Sequence, residues 1–277
     1  MNDTPDILLL CVNYKNPEET RNFLKHVRQC AIDDNVNIRV VVSDNDGSMQ
    51  ANASVPGAMV VTDVENPGYF SGCAFALEKW QRQWQDWPRW IGVVNTDIEF
   101  QPGFFTRLLS LRLPENLAAM GPDIRLPDNT PQNPFKTTRP SISDLKKWLF
   151  IFKYDWLFKI WDEQWHKIRK NKKLNIDEDN IIFSPQPVYA IHGSAIFLRP
   201  TFFKNGGTLK YPAFLYGEEL FLAEQIQSLG MNSAWMPGLK IIHKENSILG
   251  VIDISQKRIW KLNSMKYIFE TYFDKKG

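Results

Sequence analysis

The chain has 277 residues, 43% hydrophobic and 23% charged, which suits one large globular domain or two small ones and argues against a disordered or fibrous polymer. Its 33 basic and 31 acidic residues leave a net charge of +2, so whole-protein electrostatics give no case for nucleic-acid binding. The three cysteines, Cys11, Cys30 and Cys73, show no C-x-x-C spacing and fit reduced thiols in a cytoplasmic protein. Met1 to Asp6 lacks a signal-peptide pattern, and no apolar run reaches the roughly 20 residues that span a bilayer.

Apolar runs alternate with helical patterns through the first half, the rhythm of a parallel sheet covered on both faces. Strands are expected at Ile7–Tyr14, Ile38–Asp44, Ala58–Val64 and Trp90–Asn95. Asn16-Pro17-Glu18-Glu19 starts a helix, with Asn as N-cap, Pro at the first position and acids against the macrodipole. Its apolar face is Phe23, Leu24, Val27 and Ala31. A second helix runs from Ser71 to about Trp87, and a short one from Pro102 to Leu111. A strand is expected at Ala118–Leu126, then a Pro- and Asn-rich loop from Pro127 to Pro140. Strand character returns at Val188–Leu198, followed by a helix from Glu218 to Leu229, a strand at Ala234–His243 and a terminal helix from Gln256 to Phe273.

The segment Asp144–Lys173 is aromatic and basic at once. It carries Trp148, Phe152, Trp156, Trp161 and Trp165 among Lys146, Lys147, Lys153, Lys159, Lys167, Arg169 and Lys170. Two readings fit it: an amphipathic helical insertion packed on the body of the protein, and a basic helix with aromatic anchors lying on an anionic membrane surface.

Ligands of an open α/β sheet bind beyond the carboxyl ends of its strands. Four successive strands bring polar groups there: Val12-Asn13-Tyr14, then Ser43-Asp44-Asn45-Asp46, then Glu65-Asn66-Pro67-Gly68, then Asn95-Thr96-Asp97. Each alone reads as an ordinary turn; their convergence points to a site. Neither G-x-G-x-x-G nor a P-loop is present, so a diphosphate ligand would need its positive charge from a divalent cation. Asp97 is placed to hold Mg²⁺ or Mn²⁺, which take one or two carboxylates and complete their shell with water and phosphate. Glu99 has no partner legible in the sequence and is left outside that shell.

The ordered stretches CVNYKNPEET, VVSDNDGS, ENPGYFSGCAFAL, GVVNTDIEF, IHGSAIFLRP, YGEELFLAEQIQSLGM and IIHKENS resemble the family 2 glycosyltransferases of the GT-A fold, especially the bacterial rhamnosyltransferase-like branch of surface-polysaccharide synthesis. The resemblance runs from about Ile7 to Ser247. It implies an α/β protein with a Rossmann-like, mixed but mostly parallel central sheet flanked by helices, a helical insertion and a C-terminal helix. A single domain over 1–277 would divide into a nucleotide-binding half (1–120), an acceptor half (121–250) with the insertion at 141–173, and a terminal helix (251–277).

The resemblance also implies roles. Val12, Asn13 and Tyr14 would line the nucleotide pocket with Asn95 and Thr96, Asp44 would accept from the base, and Asn66 and Gly68 would approach the nucleotide, glycine permitting close contact. Asp97 matches the last aspartate of the D-x-D-type metal motif, with Asn95 in place of the first, and His243 matches a late histidine that helps bind the cation. Glu218-Glu219 matches an acidic pair whose second member is the general base. Glu219 inherits that role, although Glu for the usual Asp adds a methylene and leaves Glu218 a candidate too. His192, beside Gly193 and Ser194, faces either the acceptor or the core. The stretch SGCAFAL lacks the Asn and Gly, and LAEQ the arginine, common in the branch, which bears on the donor sugar more than on the reaction.

The implied activity is an inverting, metal-dependent transfer of a sugar from a nucleotide diphosphate to a glycan or lipid-linked acceptor. The implied setting is cytoplasmic, peripheral at the inner face of the membrane if 144–173 docks there, with no nucleic-acid partner. Two alternatives stay open: a non-catalytic nucleotide-sugar-binding member of a polysaccharide-assembly complex, and a sugar-nucleotide pyrophosphorylase, for which the Gly-rich, Arg-containing loop after the first strand is missing.

Overall fold

The computed structural model describes residues 4–49, 57–63, 65–170, 184–245 and 252–274, with the side chains of 165–170 outside the description. The sheet begins as β1 (Ile7–Asn13), β2 (Ile38–Asp44), β3 (Ala58–Thr62) and β4 (Trp90–Val94), all parallel, with β1 between β2 and β4. Val64, expected at the end of the third strand, lies outside the described residues. β5 (Ile98–Phe100), β6 (Leu117–Arg125), β7 (Gln186–Val188), β8 (Ala195–Leu198) and β9 (Asn232–His243) extend the sheet in the order β3-β2-β1-β4-β8-β6-β9-β5, with β7 also on β9. β8 is antiparallel to both neighbours, whereas β6 and β9 are parallel.

Helices cover both faces. α1 (Pro17–Asp33) starts where Asn16 accepts the Glu19 N–H, as its sequence anticipates. It turns Phe23, Leu24 and Val27 onto one apolar layer with β1 and β2. α2 (Tyr69–Gln81) covers the opposite face through Phe70, Cys73, Leu77 and Trp80, each large side chain contributing about 1.5–3 kcal/mol on burial. It begins earlier than the apolar spacing suggests and stops well short of Trp87. The chain leaves the helix at Arg82, and Trp84 stacks on Trp80 with ring centroids 4.0 Å apart.

α3 (Phe104–Ser110) and α6 (Pro200–Lys204) are short connectors, α7 (Glu218–Ser228) follows, and α8 (Ile254–Ile268) runs into a π-helical turn, Phe269–Phe273. α4 (Ile142–Lys153) and α5 (Asp155–Lys170) form the insertion as a helical hairpin. Its Leu145, Phe152 and Phe158 share a third apolar cluster with Leu220 and Ala223 of α7 and Met265 and Ile268 of α8. The packed-insertion reading therefore holds for this inner face, which includes the partly buried Trp148 and Trp161. The Trp165 side chain and residues 171–173 lie outside the described residues. No helix among the described residues is long and apolar enough to cross a membrane.

One expected element divides. Val188–Leu198 is two strands, β7 and β8, because residues 189–194 leave the sheet and bridge instead to the 126–141 loop through Lys136 and Ala190. That detour carries His192, Gly193 and Ser194 to the rim.

Candidate active site

Asp97 and His243 come together through strand pairing. Ile98 of β5 pairs with His243 at the end of β9, and the Lys244 N–H donates to the Asp97 carbonyl at 2.8 Å. The two side chains, 5% and 6% exposed, approach to 3.1 Å between Asp97 Oδ1 and His243 Nε2. Yet neither Asp97 carboxylate oxygen nor His243 Nε2 has a hydrogen-bond partner.

A hydrogen-bond chain stands behind the ring. Gln132 Nε2 donates to Glu245 Oε1 at 2.8 Å, which turns Gln132 Oε1 toward His243 Nδ1 at 2.6 Å. An amide oxygen only accepts, so Nδ1 carries a proton, and in the uncharged tautomer Nε2 is the lone-pair nitrogen beside the Asp97 carboxylate. In that tautomer two acceptors lie side by side, an arrangement that a cation relieves. Among the described residues no cluster of three or more His, Cys, Asp or Glu side chains forms a complete protein cage. A two-ligand site fits Mg²⁺ or Mn²⁺, which leave positions for water and phosphate. Asp97 and Thr96 line a cleft of about 410 Å³ that follows α1 past Asn16, Glu19 and Asn22. Glu99, also on this cleft, is paired with Lys244.

The acidic pair stands in the first turn of α7. Tyr216 (φ +70°) and Gly217 (φ +81°) both take left-handed backbone immediately before α7, and the Tyr216 carbonyl accepts from Tyr211 Oη (3.1 Å) and Ser264 Oγ (2.6 Å). A side chain on Gly217 would meet Ser264 Oγ at 2.2 Å. This clamped, strained turn sets the direction of the first helical turn. Glu219 Oε1 accepts the Gly193 N–H at 3.2 Å, and the Gly193 carbonyl accepts from Tyr69 Oη at 3.2 Å. Burial raises the Glu219 carboxyl, opposed by backbone N–H groups of Glu219 and Gly193 and by the charge of Lys261. Burial first, and then the neighbouring Glu219, pushes Glu218 up to about 8. Burial raises both carboxyls and backbone N–H groups oppose it at both; the charge of Glu219 raises Glu218 further, whereas Lys261 opposes the shift at Glu219. Burial holds the Tyr69 hydroxyl far above its ordinary range, and the charges of Cys73, Cys11, Glu218 and Asp97 add to it.

His192 stands near His243, their ring centroids 6.1 Å apart. Its Nδ1 accepts the Ser194 N–H at 3.3 Å, and its own backbone N–H donates to Asn133 Oδ1 at 2.8 Å. The Asn95 N–H donates to the Ser194 carbonyl at 2.9 Å, tying this loop to the end of β4. Asp97, His243, His192 and, through Gly193, Glu219 thus share one region of the rim.

The nucleotide-side residues are knitted to one another. Asn13 Nδ2 donates to Asp44 Oδ1 (2.7 Å) and Ser48 Oγ (2.8 Å), and the Met49 N–H donates to Asp44 Oδ2 (3.0 Å). Asp44, expected to face a base, is only 1% exposed and spends both oxygens inside the chain. Asp46 beside it is half-buried and accepts the Lys15 N–H at 3.0 Å. Asn66 (φ +47°) accepts from Asn45 Nδ2 at 3.0 Å. Gly68 (φ +90°) is required by the protein itself, since a Cβ there would lie 2.0 Å from the Phe214 carbonyl oxygen. Val12 is half-buried and Tyr14 exposed at the strand end. Sequence reasoning passed over Gln132, Asn133 and Gly193: the first two sit in a stretch whose composition says only loop, and nothing marks Gly193 as the donor to Glu219.

No protein-family profile and no curated protein matches the sequence. Among solved structures, a crystal structure of GalNAc-T7 with UDP, GalNAc and Mn²⁺ superposes with a TM-score of 0.57 at 10% identity, over 99% of this chain and 49% of that one. The chain has the GT-A glycosyltransferase fold. It spans about half the length of the GalNAc-T7 chain. A mannosyltransferase from Pyrobaculum calidifontis, solved with GDP-Man and Mn²⁺, aligns at a TM-score of 0.49 and 11% identity over 97% of this chain and 75% of that one.

Proposed function

We propose that the protein is an inverting glycosyltransferase of the family 2 type that moves a sugar from a nucleotide diphosphate to a glycan or lipid-linked acceptor in surface-polysaccharide synthesis. The observation that carries this reading is the close approach of buried Asp97 and His243, whose facing atoms have no hydrogen-bond partner, at a rim that also holds the buried acidic pair Glu218 and Glu219. Asp97 and His243 would hold Mg²⁺ or Mn²⁺. When bound, the cation would offset the negative charge that builds on the departing diphosphate.

Glu219 takes the proton of the acceptor hydroxyl. The acceptor oxygen forms its bond to the anomeric carbon as the bond from that carbon to the diphosphate oxygen breaks, the electron pair leaving with the diphosphate. The Gly193 N–H fixes the Glu219 carboxylate, and Lys261 favours its charged form. Glu218, whose carboxyl burial and the neighbouring Glu219 raise, keeps a second negative charge out of the acceptor side. Tyr14, Val12, Asn95 and Thr96 would border the nucleotide, with Asn13, Asp44, Asn66 and Gly68 shaping the wall behind them. His192 would face the acceptor.

The test is a screen of nucleotide sugars by thermal shift with Mn²⁺, followed by transfer and donor hydrolysis for the stabilising donor. Donor-dependent stabilisation that EDTA removes, with turnover lost in Asp97→Asn, is the expected result. Metal-dependent turnover undiminished in that variant overturns the reading.

A further inference from the structure

The outer face of the α4–α5 hairpin takes no part in that chemistry. Along α4 the exposed positions after the first turn are Lys146, Lys147, Phe150 and Lys153, continued by Tyr154 at the C-cap. Their spacing lays them along one side of the helix. The stripe holds three cations and two aromatic rings, with no acid. Phe150 is 59% exposed, its ring 5.3 Å from that of Tyr154, and Lys153 Nζ lies 5.7 Å from the Tyr154 ring. Across the turn, Trp156 is 62% exposed, with Ile160 one helical turn further on.

The acids of the hairpin are mostly engaged elsewhere. Asp144 closes a capping box with Ser141, Asp155 pairs with Lys159 at 2.9 Å, and Asp162 is buried with Lys261 3.8 Å away. Glu163 is the exposed acid on α5. The inner face already supplies the packing to α7 and α8, so folding does not call for the outer aromatics.

We infer that this corner docks on an anionic lipid surface, with Phe150, Tyr154 and Trp156 entering the headgroup region and Lys146, Lys147 and Lys153 meeting the acidic headgroups. Aromatic rings of this kind favour the boundary between water and hydrocarbon, and each lysine near a charged bilayer raises partitioning by about fivefold. Charge complementarity selects the partner: the stripe is cationic where the protein as a whole is nearly neutral. On the glycosyltransferase reading, on which this last step rests, the hairpin backs onto α7, whose first turn carries Glu218 and Glu219, so a docked bilayer lies on the acceptor side and suits a lipid-linked acceptor.

Vesicle flotation of the full chain separates the outcomes. Binding to phosphatidylcholine vesicles containing 30% phosphatidylglycerol at low salt, at least tenfold above binding to pure phosphatidylcholine and reduced by 0.5 M NaCl, is the expected result. F150S/W156S and K146Q/K147Q/K153Q should each lose most of that binding while keeping the wild-type melting temperature. D97N should bind vesicles as the wild type does, so docking is scored even if the catalytic reading fails. The inference is overturned if anionic vesicles are not bound, or if F150S/W156S binds them unchanged. It is equally overturned if the chain instead forms a dimer, seen by sedimentation, that F150S/W156S abolishes.

Discussion

His243 Nε2 lies 3.1 Å from Asp97 Oδ1 without a hydrogen bond between them, and Gln132 Oε1 fixes a proton on the far ring nitrogen, Nδ1. In the proposed cation site Gln132 is therefore a positioning residue. Partners of this sort typically account for about 10–100-fold in metal affinity. Gln132→Leu is expected to weaken Mn²⁺ binding by that factor, read as free Mn²⁺ by electron paramagnetic resonance without any substrate present. Wild-type affinity in the variant would remove Gln132 from the site.

Glu218 and Glu219 should separate kinetically. Glu219→Gln keeps the Gly193 hydrogen-bond acceptor and removes the base, so transfer should fall by about 10²–10⁴-fold with donor affinity unchanged. Glu218→Gln mimics the neutral carboxyl that burial already favours and should cost far less. Equal losses in the two variants, measured as kcat at saturating donor, would reject the assignment of Glu219 as base.

Some of these groups are legible in the sequence and others are not, for a physical reason. Asp97 is legible as a candidate because an apolar strand ending in NTD leaves few reasons for a carboxylate there, whereas Glu218-Glu219 stands out only by its resemblance to a family's acidic pair, since acids at a helix start are an ordinary local pattern. The strands β1, β2 and β4 were legible as continuous apolar runs. Gln132 was not: its role depends on a loop crossing 111 positions of sequence to reach His243, and no local period encodes such a contact. The inward turn of Asp44 was hidden likewise, since the sequence shows an acid at a strand end but not the Met49 N–H that claims it. Gly68 looked like a ligand-approach glycine, yet the Phe214 backbone explains it.

Glu218 also makes stability depend on pH. Its folded-state carboxyl is raised from the usual carboxylate range to about 8, so its contribution is fully present below that range and is lost as pH rises toward 8. Through that window the wild type should lose stability with a slope of at most about 1.4 kcal/mol per pH unit from this group. Glu218→Gln should flatten the slope and leave the variant more stable than the wild type at pH 8. Urea denaturation at pH 5, 6.5 and 8 measures it, and parallel curves for the two proteins would contradict the assignment.

Two glycines at the rim should respond in opposite ways to alanine. A Cβ on Gly68 meets the Phe214 carbonyl oxygen at 2.0 Å, on a backbone with φ +90°, so neither the neighbour nor the residue can yield cheaply. Gly68→Ala should lose about 3 kcal/mol or more of stability, through overpacking and backbone strain together. A Cβ on Gly193 meets only the end of the Glu219 side chain, at 3.0 Å, and that carboxylate can swing away. Gly193→Ala should therefore fold with nearly wild-type stability but displace the base by a fraction of an ångström to an ångström, a misplacement that can cost about 10²-fold in transfer. Thermal melting and transfer rate, measured on both variants, give the contrast directly: a stable, fully active Gly193→Ala would show that the Gly193–Glu219 contact has no part in catalysis.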